Sequence, residues 1–121
     1  MNTLWIAVVS IAISVAAQFS LKAGMTSMAT KSALSGPLKP SNLVTVLTNP
    51  YVVGGFVLYG LGALVWLAVL ARWDVSKAYP LVGLGFAMAA VIGAFLGEQM
   101  GLLRAVGVTL ICVGVVLVGR T

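Results

Sequence analysis

Three polar side chains recur at four-residue intervals within the first long apolar stretch of the chain. Ser14, Gln18 and Lys22 therefore share one face if this stretch is helical. A serine can satisfy its hydroxyl on the backbone one turn earlier, whereas the amide of Gln18 does so less easily. Gln18 and Lys22 together offer amide and ammonium donors, which suit an anionic or polyhydroxylated ligand. The alternative for Lys22 is a membrane anchor whose ammonium group extends to lipid headgroups.

The second apolar stretch carries two aromatic side chains on one face. Tyr59 and Trp66 are seven residues apart, and the Tyr59 hydroxyl needs a hydrogen-bond partner inside the stretch. The two interpretations are packing against neighbouring helices and lining a binding site.

The two carboxylates of the chain flank the third apolar stretch, "DVSKAYPLVGLGFAMAAVIGAFLGE". Asp74 lies between Arg72 and Lys77, which favours a solvated ion pair at the membrane surface. Glu98 lies six residues before Arg104. It is interpreted either as an interfacial carboxylate near the start of the fourth helix or as a partner for an ion pair or a substrate.

Glycines near the start of this third stretch predict a place where the helix bends. Pro80 fits the first turn of the helix, where a missing N–H is tolerated. Gly83 and Gly85 follow inside the helix. Glycine there lowers the cost of bending and lets another backbone or a bulky ligand come close, so we expect a hinge.

The composition predicts that helices span a membrane. Of the 121 residues, 61% are hydrophobic and 7% are charged, and the mean hydropathy is +1.15. A helix needs about 20 apolar residues to cross the hydrocarbon core. The apolar runs are continuous rather than alternating, so helices are favoured over a barrel. We expect one all-α domain of four transmembrane helices at about 4–21, 51–71, 78–97 and 105–119.

The residues that are missing argue against several functions. The chain has no histidine, and its single cysteine, Cys112, lies in the fourth stretch. We therefore expect no enzyme, no metal site and no cofactor. The net charge of +5 is scattered around the ends of the helices, where it suits lipid phosphates better than nucleic acid.

The links between helices constrain how the helices are arranged. Two links are short, which makes helices two, three and four antiparallel neighbours. The first link, about 22–50, is long, and its "SNLVTVLTNP" is either an interfacial helix or a flexible loop. Asn49 and Pro50 fit the start of helix two. Basic residues are almost equally divided between the two sides of the membrane, which predicts no fixed orientation of the chain in it. One side has Arg72, Lys77 and Arg120, and the other has Lys22, Lys31, Lys39 and Arg104.

Four short helices should fill their own interior, so we expect an oligomer, most simply a dimer. Gly107 and Gly114 are seven residues apart in the fourth helix and lie on one stripe. Small residues let helices approach closely in lipid. The stripe therefore predicts a dimer contact, and the alternative is packing inside one subunit.

The order of these motifs resembles the small four-helix members of the drug/metabolite transporter superfamily. The resemblance runs from "SVAAQFSLKAG" through "AYPLVGLGF" and "LGE" to "GVTLICVGVVLVG", and only the long first link is unmatched. In the small multidrug resistance branch, a membrane-embedded glutamate exchanges protons for cationic drugs. Ser14 stands at that position here and Val82 at the place of a tryptophan, although Tyr59 and Tyr79 match binding-site tyrosines of that branch.

The sequence is more similar to subunits of the aminoarabinose-phosphoundecaprenol flippase. Gln18, Lys22, Trp66, Tyr79, Pro80 and Phe86 occupy the matching places. The resemblance implies a bacterial inner-membrane flippase of a polyprenyl-phosphate-linked sugar, acting as a homodimer or with a related small subunit. Its groove would lie between the helices of two subunits. Gln18 and Lys22, with Arg72 or Lys77, would hold the phosphate or sugar there. The alternatives are an exporter of small cationic or neutral metabolites and a non-transporting membrane subunit.

Overall fold

The computed structural model describes residues 2–37 and 39–121 and contains six helices in this part of the chain. Four are long and apolar enough to span a membrane, namely α1, α4, α5 and α6. The bounds are α1 Thr3–Met25, α2 Met28–Leu34, α3 Pro40–Leu47, α4 Pro50–Leu70, α5 Val75–Phe95 and α6 Leu102–Gly119. The all-α class and the four spanning helices were both predicted from hydropathy.

Asparagine caps fix where the first two spanning helices begin. The side chain of Asn2 accepts a hydrogen bond from the backbone N–H of Leu4, and Asn49 accepts one from Tyr51. Pro50 occupies the first turn of α4, as the sequence indicated. Helix α1 continues about one turn beyond the predicted end at residue 21, so Lys22 belongs to the helix.

The first link folds against the end of α1 and does not form one long loop. It contains α2 and α3, apart from residue 38, which lies outside the described residues. The hydroxyl of the buried Thr30 donates to the Gly24 carbonyl oxygen at 2.8 Å. The Asn49 amide donates to the Ser27 hydroxyl at 3.1 Å. The structure therefore supports the helical interpretation of "SNLVTVLTNP", because Pro40–Leu47 is α3.

Helices α1 and α4 pack closely because small residues face each other and hydroxyls bridge the two backbones. The Ser10 hydroxyl donates to the Gly62 carbonyl oxygen at 2.7 Å, and the Ser20 hydroxyl donates to that of Tyr51 at 2.7 Å. A Cβ added to Gly55 would lie 2.6 Å from the Leu21 side chain. Such approaches, with hydrogen bonds between helices, hold helices together where no water is present.

The start of α5 differs from the prediction. The helix begins at Val75, so Pro80 is not in the first turn but lies in a 3₁₀ segment, Tyr79–Val82. Proline offers no N–H to the ladder, which accounts for the altered turn. Two glycines of α5 face apolar side chains of neighbouring spanning helices. A Cβ on Gly83 would lie 3.0 Å from the Ile111 side chain of α6, and one on Gly85 would lie 3.0 Å from the Ile11 side chain of α1.

The antiparallel course of the helices places charges at two opposite ends. The Arg72 guanidinium donates to the Thr3 hydroxyl, and the Lys77 ammonium lies 4.5 Å from the centre of the Trp73 ring. These groups lie together at the end where α1 begins. Lys22 lies near the other end of α1, which is about 28 Å away at a rise of 1.5 Å per residue.

Candidate functional site: a polar cavity within one subunit

A cavity of about 940 Å³ opens between α1, α4 and α5, and Arg104 and Val108 of α6 also line it. It is lined by six residues that the sequence singled out as ligand contacts, which are Ser14, Gln18, Lys22, Tyr59, Trp66 and Tyr79. Residues far apart in the chain, on three helices, thus line one cavity.

The four helices leave this cavity open on one side, and the expectation of a pathway between two subunits stays a prediction. Small residues line the wall where larger side chains would close the space, among them Gly62, Gly85, Ala89 and Ala90. Helix α6 packs on α5 and none of its residues is buried, so it leaves one side of the interior open. One chain therefore forms a sizeable pocket without a partner.

The α1 wall presents two kinds of polar groups. The hydroxyl of Ser14 donates to the Ser10 carbonyl oxygen at 3.1 Å, and Ser10, only 2% exposed, donates to Gly62. Both hydroxyls donate to backbone oxygens, and the Ser10 hydroxyl thereby joins α1 to α4. Gln18 and Lys22 are exposed to the cavity and lie one and two turns further along the same face. They are the donors on this wall that can reach a ligand.

The aromatic residues differ in how firmly they are held. Trp66 packs against the buried cluster of Ile11, Val15 and Leu81, which fixes its ring on the cavity wall. Tyr59 is half-buried. Tyr79, in the 3₁₀ segment, is 68% exposed, so its ring is free to contact a ligand.

A carboxylate and a guanidinium stand at the same end of the cavity as Lys22. After α5, Gly97 adopts a φ of +92°, and the Glu98 N–H donates to the Gly93 carbonyl oxygen at 2.9 Å. This turn is a Schellman cap, and glycine is the residue that readily adopts its left-handed position. The Glu98 carboxylate folds back over Gly93, where a Cβ would lie 3.0 Å from it. The Arg104 guanidinium donates to the Gln99 carbonyl oxygen at 2.7 Å.

Glu98 and Arg104 both line the cavity. The sequence had left two interpretations of Glu98, an interfacial carboxylate or a partner for an ion pair or a substrate. With Lys22, the lining therefore carries two cations and one carboxylate. Within residues 2–37 and 39–121, no group of three His, Cys, Asp or Glu side chains is arranged to hold a metal ion.

Two of the predicted basic site residues lie outside the cavity. Arg72 and Lys77 are at the opposite end of the helices from Lys22 within one subunit, and their contact with a ligand stays a prediction. Gly85 lines the cavity and Gly83 does not. Both allow close approach of neighbouring helices, and the hinge stays a prediction.

Gly107 and Gly114 do not pack inside the subunit. Among the described residues, nothing lies within 4 Å of where a Cβ on either would stand. The alternative of packing within one chain is therefore wrong, and the dimer contact stays a prediction.

Sequence reasoning missed several lining residues, including Phe19, Gln99 and Met100. The positions of Gln99 and Met100 depend on the turn at Gly97, which helical spacing does not predict.

Four spanning helices around an open cavity with a charged end define a small multi-pass membrane protein. Comparison with known proteins identifies the family to which the chain belongs. A Pseudomonas fluorescens protein, named as a probable 4-amino-4-deoxy-L-arabinose-phosphoundecaprenol flippase subunit ArnE, is 35% identical over 83 residues, which are 68% of this chain and 73% of that relative. The chain belongs to this family of ArnE flippase subunits.

Two further relatives show how far the similarity extends. A protein of the same name from Pseudomonas savastanoi pv. phaseolicola is 45% identical over 62 residues, or 50% of this chain. The match spans only about half, 54%, of that relative's length. The uncharacterized protein y4nH of Sinorhizobium fredii is 40% identical over 86 residues, 69% of this chain and 74% of the relative.

No family model matches the chain, and no solved structure matches it significantly. The relatives and the four helices make it a multi-pass protein of the bacterial inner membrane. The resemblance to flippase subunits, stated from the motifs of the sequence, is confirmed.

Proposed function

We propose that the protein is a flippase subunit that translocates a polyprenyl-phosphate-linked sugar across the inner membrane. The observation that carries the proposal is the end of the cavity, where Gln18, Lys22 and Arg104 line a space that is otherwise mainly apolar. A phosphate group that leaves the headgroup region needs donors and positive charge in place of water. Those three side chains supply both.

Aromatic residues line the rest of the cavity, where the sugar would pass during translocation. Tyr59, Trp66 and Tyr79 present ring faces and hydroxyl or indole groups, which combine apolar contact with hydrogen bonding. The Glu98 carboxylate accepts hydrogen bonds and pairs with a cation. The relatives are named for a 4-amino sugar, and we assign Glu98 to the amino group of such a sugar.

The proposed activity moves the substrate and makes or breaks no bond in it, so the protein is not an enzyme on this view. Gly83 and Gly85, next to the 3₁₀ segment, are the proposed hinge between two states of the cavity. Helices that include such irregular turns bend at lower cost than regular ones.

We propose further that the subunit works as a dimer, with itself or with a related small subunit. Helix α6 has a face with Gly107 and Gly114 on it and open space above both glycines. A second helix can approach such a surface closely in lipid.

Binding measurements in lipid nanodiscs test the proposed substrate. Quenching of the tryptophan fluorescence is followed as undecaprenyl phosphate or a quaternary ammonium compound is added. We expect saturable binding of undecaprenyl phosphate and none of the cation, because the cavity end carries two cations against one carboxylate. Tight binding of the cation without binding of the lipid phosphate would overturn the proposal in favour of a drug exporter.

A transport assay separates the flippase from a non-transporting subunit. Gln18→Ala and Lys22→Ala should fold and assemble normally but lose translocation in proteoliposomes. Unchanged translocation in both variants would show that the cavity is not the path of the substrate.

A further inference from the structure

A second depression, of about 430 Å³, adjoins the polar cavity. It lies between the second half of α5 and the first half of α6, and we refer to it as the apolar groove. All of its lining residues are apolar, namely Ala90, Val91, Ala94, Phe95, Met100, Ala105 and Val108. Four of them, Ala90, Ala94, Met100 and Val108, also line the cavity, so the two spaces are adjacent.

The packing of α5 against α6 accounts for the groove. Away from the connecting turn, Gly83 brings the helices together, because a Cβ there would lie 3.0 Å from Ile111 and 3.1 Å from Val115. Toward the turn, small side chains line the space between the helices, among them Ala90, Ala94 and Ala105. At the rim, the Phe95 side chain is 87% exposed.

The groove lies at the end of the molecule where the charged residues of the cavity are. Helix α5 ends at Phe95, just before Glu98, and α6 begins at Leu102, just before Arg104. A ligand with a charged group at Arg104 therefore has an apolar passage beside it.

We propose that the apolar groove holds the first part of the polyprenyl chain while the phosphate and sugar occupy the cavity. The inference rests on the proposed function, and it assigns a place to the part of the substrate that carries no polar group. An isoprenoid chain has no polar group to satisfy, so a wall of alanine, valine, methionine and phenylalanine fits it. The residues common to both spaces mark where the phosphate joins the chain.

The groove predicts where a photoreactive substrate will attach. The probe is a polyprenyl phosphate with a diazirine on the isoprene unit nearest the phosphate, bound to the intact protein in nanodiscs. After irradiation, mass spectrometry should find the label within residues 90–108. Equal labelling of the lipid-facing surface of α4 would overturn the inference.

A filled groove provides the matched variant. Ala105 lines the groove and not the cavity, so Ala105→Leu occupies the chain site and leaves the charged residues in place. Labelling of residues 90–108 should fall several-fold. Ala68→Leu adds the same side chain at an exposed position of α4 and should leave labelling unchanged. An equal fall in both variants, or in neither, contradicts the inference.

Competition separates this inference from the proposed function. Unlabelled undecaprenyl phosphate should displace the probe, and excess phospholipid of the nanodisc should not. If undecaprenyl phosphate competes but the label lies outside residues 90–108, only the groove assignment fails. If undecaprenyl phosphate does not compete, the proposed function fails as well. Displacement by phospholipid would mean that the groove is a general lipid site, which also contradicts the inference.

Discussion

Replacing Lys22 with glutamine removes the charge that α1 brings to the cavity and keeps a side chain able to donate hydrogen bonds. Lys22 lies near the end of α1, exposed, on the same face as Gln18. Since the side chain is not packed in a core, we expect Lys22→Gln to fold like the parent protein. Any change in affinity then reports on the ligand.

The size of the effect follows from the position of the side chain. A hydrogen bond to a charged group contributes about 1.5–3 kcal/mol. Solvent at the exposed rim weakens the interaction, so we take the lower value. A loss of about 1.5 kcal/mol raises the Kd for a polyprenyl phosphate roughly tenfold.

Two further variants make the measurement specific to this position. Lys22→Arg keeps the charge and should restore most of the affinity. Arg72→Gln removes one positive charge from the opposite end of the helices, about 28 Å from Lys22 along α1. That separation exceeds the screening length of about 10 Å at ordinary salt, so the Kd should not change.

The assay is the titration of each variant with undecaprenyl phosphate in nanodiscs, at low and at high salt. The parent protein should bind more weakly at high salt, and Lys22→Gln should show a smaller salt effect. Equal losses in Lys22→Gln and Arg72→Gln would refute the reasoning, because only general attraction to the membrane surface would then be at work.

Three more outcomes follow from the structure. Ser10→Ala leaves the Gly62 carbonyl oxygen without its 2.7 Å donor and should lower the stability of the protein in detergent by about 0.6–1.7 kcal/mol. The control Ser76→Ala, at an exposed position, should unfold at the same temperature as the parent protein. Gly55→Ala places a Cβ 2.6 Å from Leu21 and should destabilise the protein by about 1–3 kcal/mol. Gly60→Ala, on the same helix with nothing within 4 Å of the added Cβ, should be neutral or stabilising. Equal unfolding temperatures of the two variants would contradict the close packing of α1 on α4. Glu98→Gln should weaken binding of an amino-sugar carrier and leave that of undecaprenyl phosphate unchanged, and a loss for both ligands would show that Glu98 does not select for the amine.

Local features of the site could be predicted because they depend on helical spacing. The interval of four residues places Ser14, Gln18 and Lys22 on one face whatever the rest of the fold does. Asn49 and Pro50 likewise mark the start of α4 through contacts within a few residues. Pro80 was misplaced because α5 begins at Val75, directly after Asp74, and Asp74 was interpreted as part of an ion pair rather than as the N-cap.

The cavity itself could not be predicted, because its volume depends on how far apart the helices stand. That separation follows from contacts between distant residues, such as Gly55 with Leu21 and Gly83 with Ile111. Periodicity does not identify such pairs. The position of Glu98 depends on the reversal of the chain at Gly97, and the glycine before the glutamate was the only local sign of it.

The unequal packing of the helices affects how the protein responds to its bilayer. Hydrogen bonds join α1 to α4, whereas Gly85 meets Ile11 and Val15 of α1 through carbon atoms alone. In the proposed hinge motion of α5 away from α1, lipid chains would replace contacts of the same apolar kind, so few polar interactions would be lost. The rate of this motion should then follow the viscosity and order of the hydrocarbon. Turnover would slow as the bilayer enters the gel phase, at temperatures where the α1–α4 pair is still fully folded.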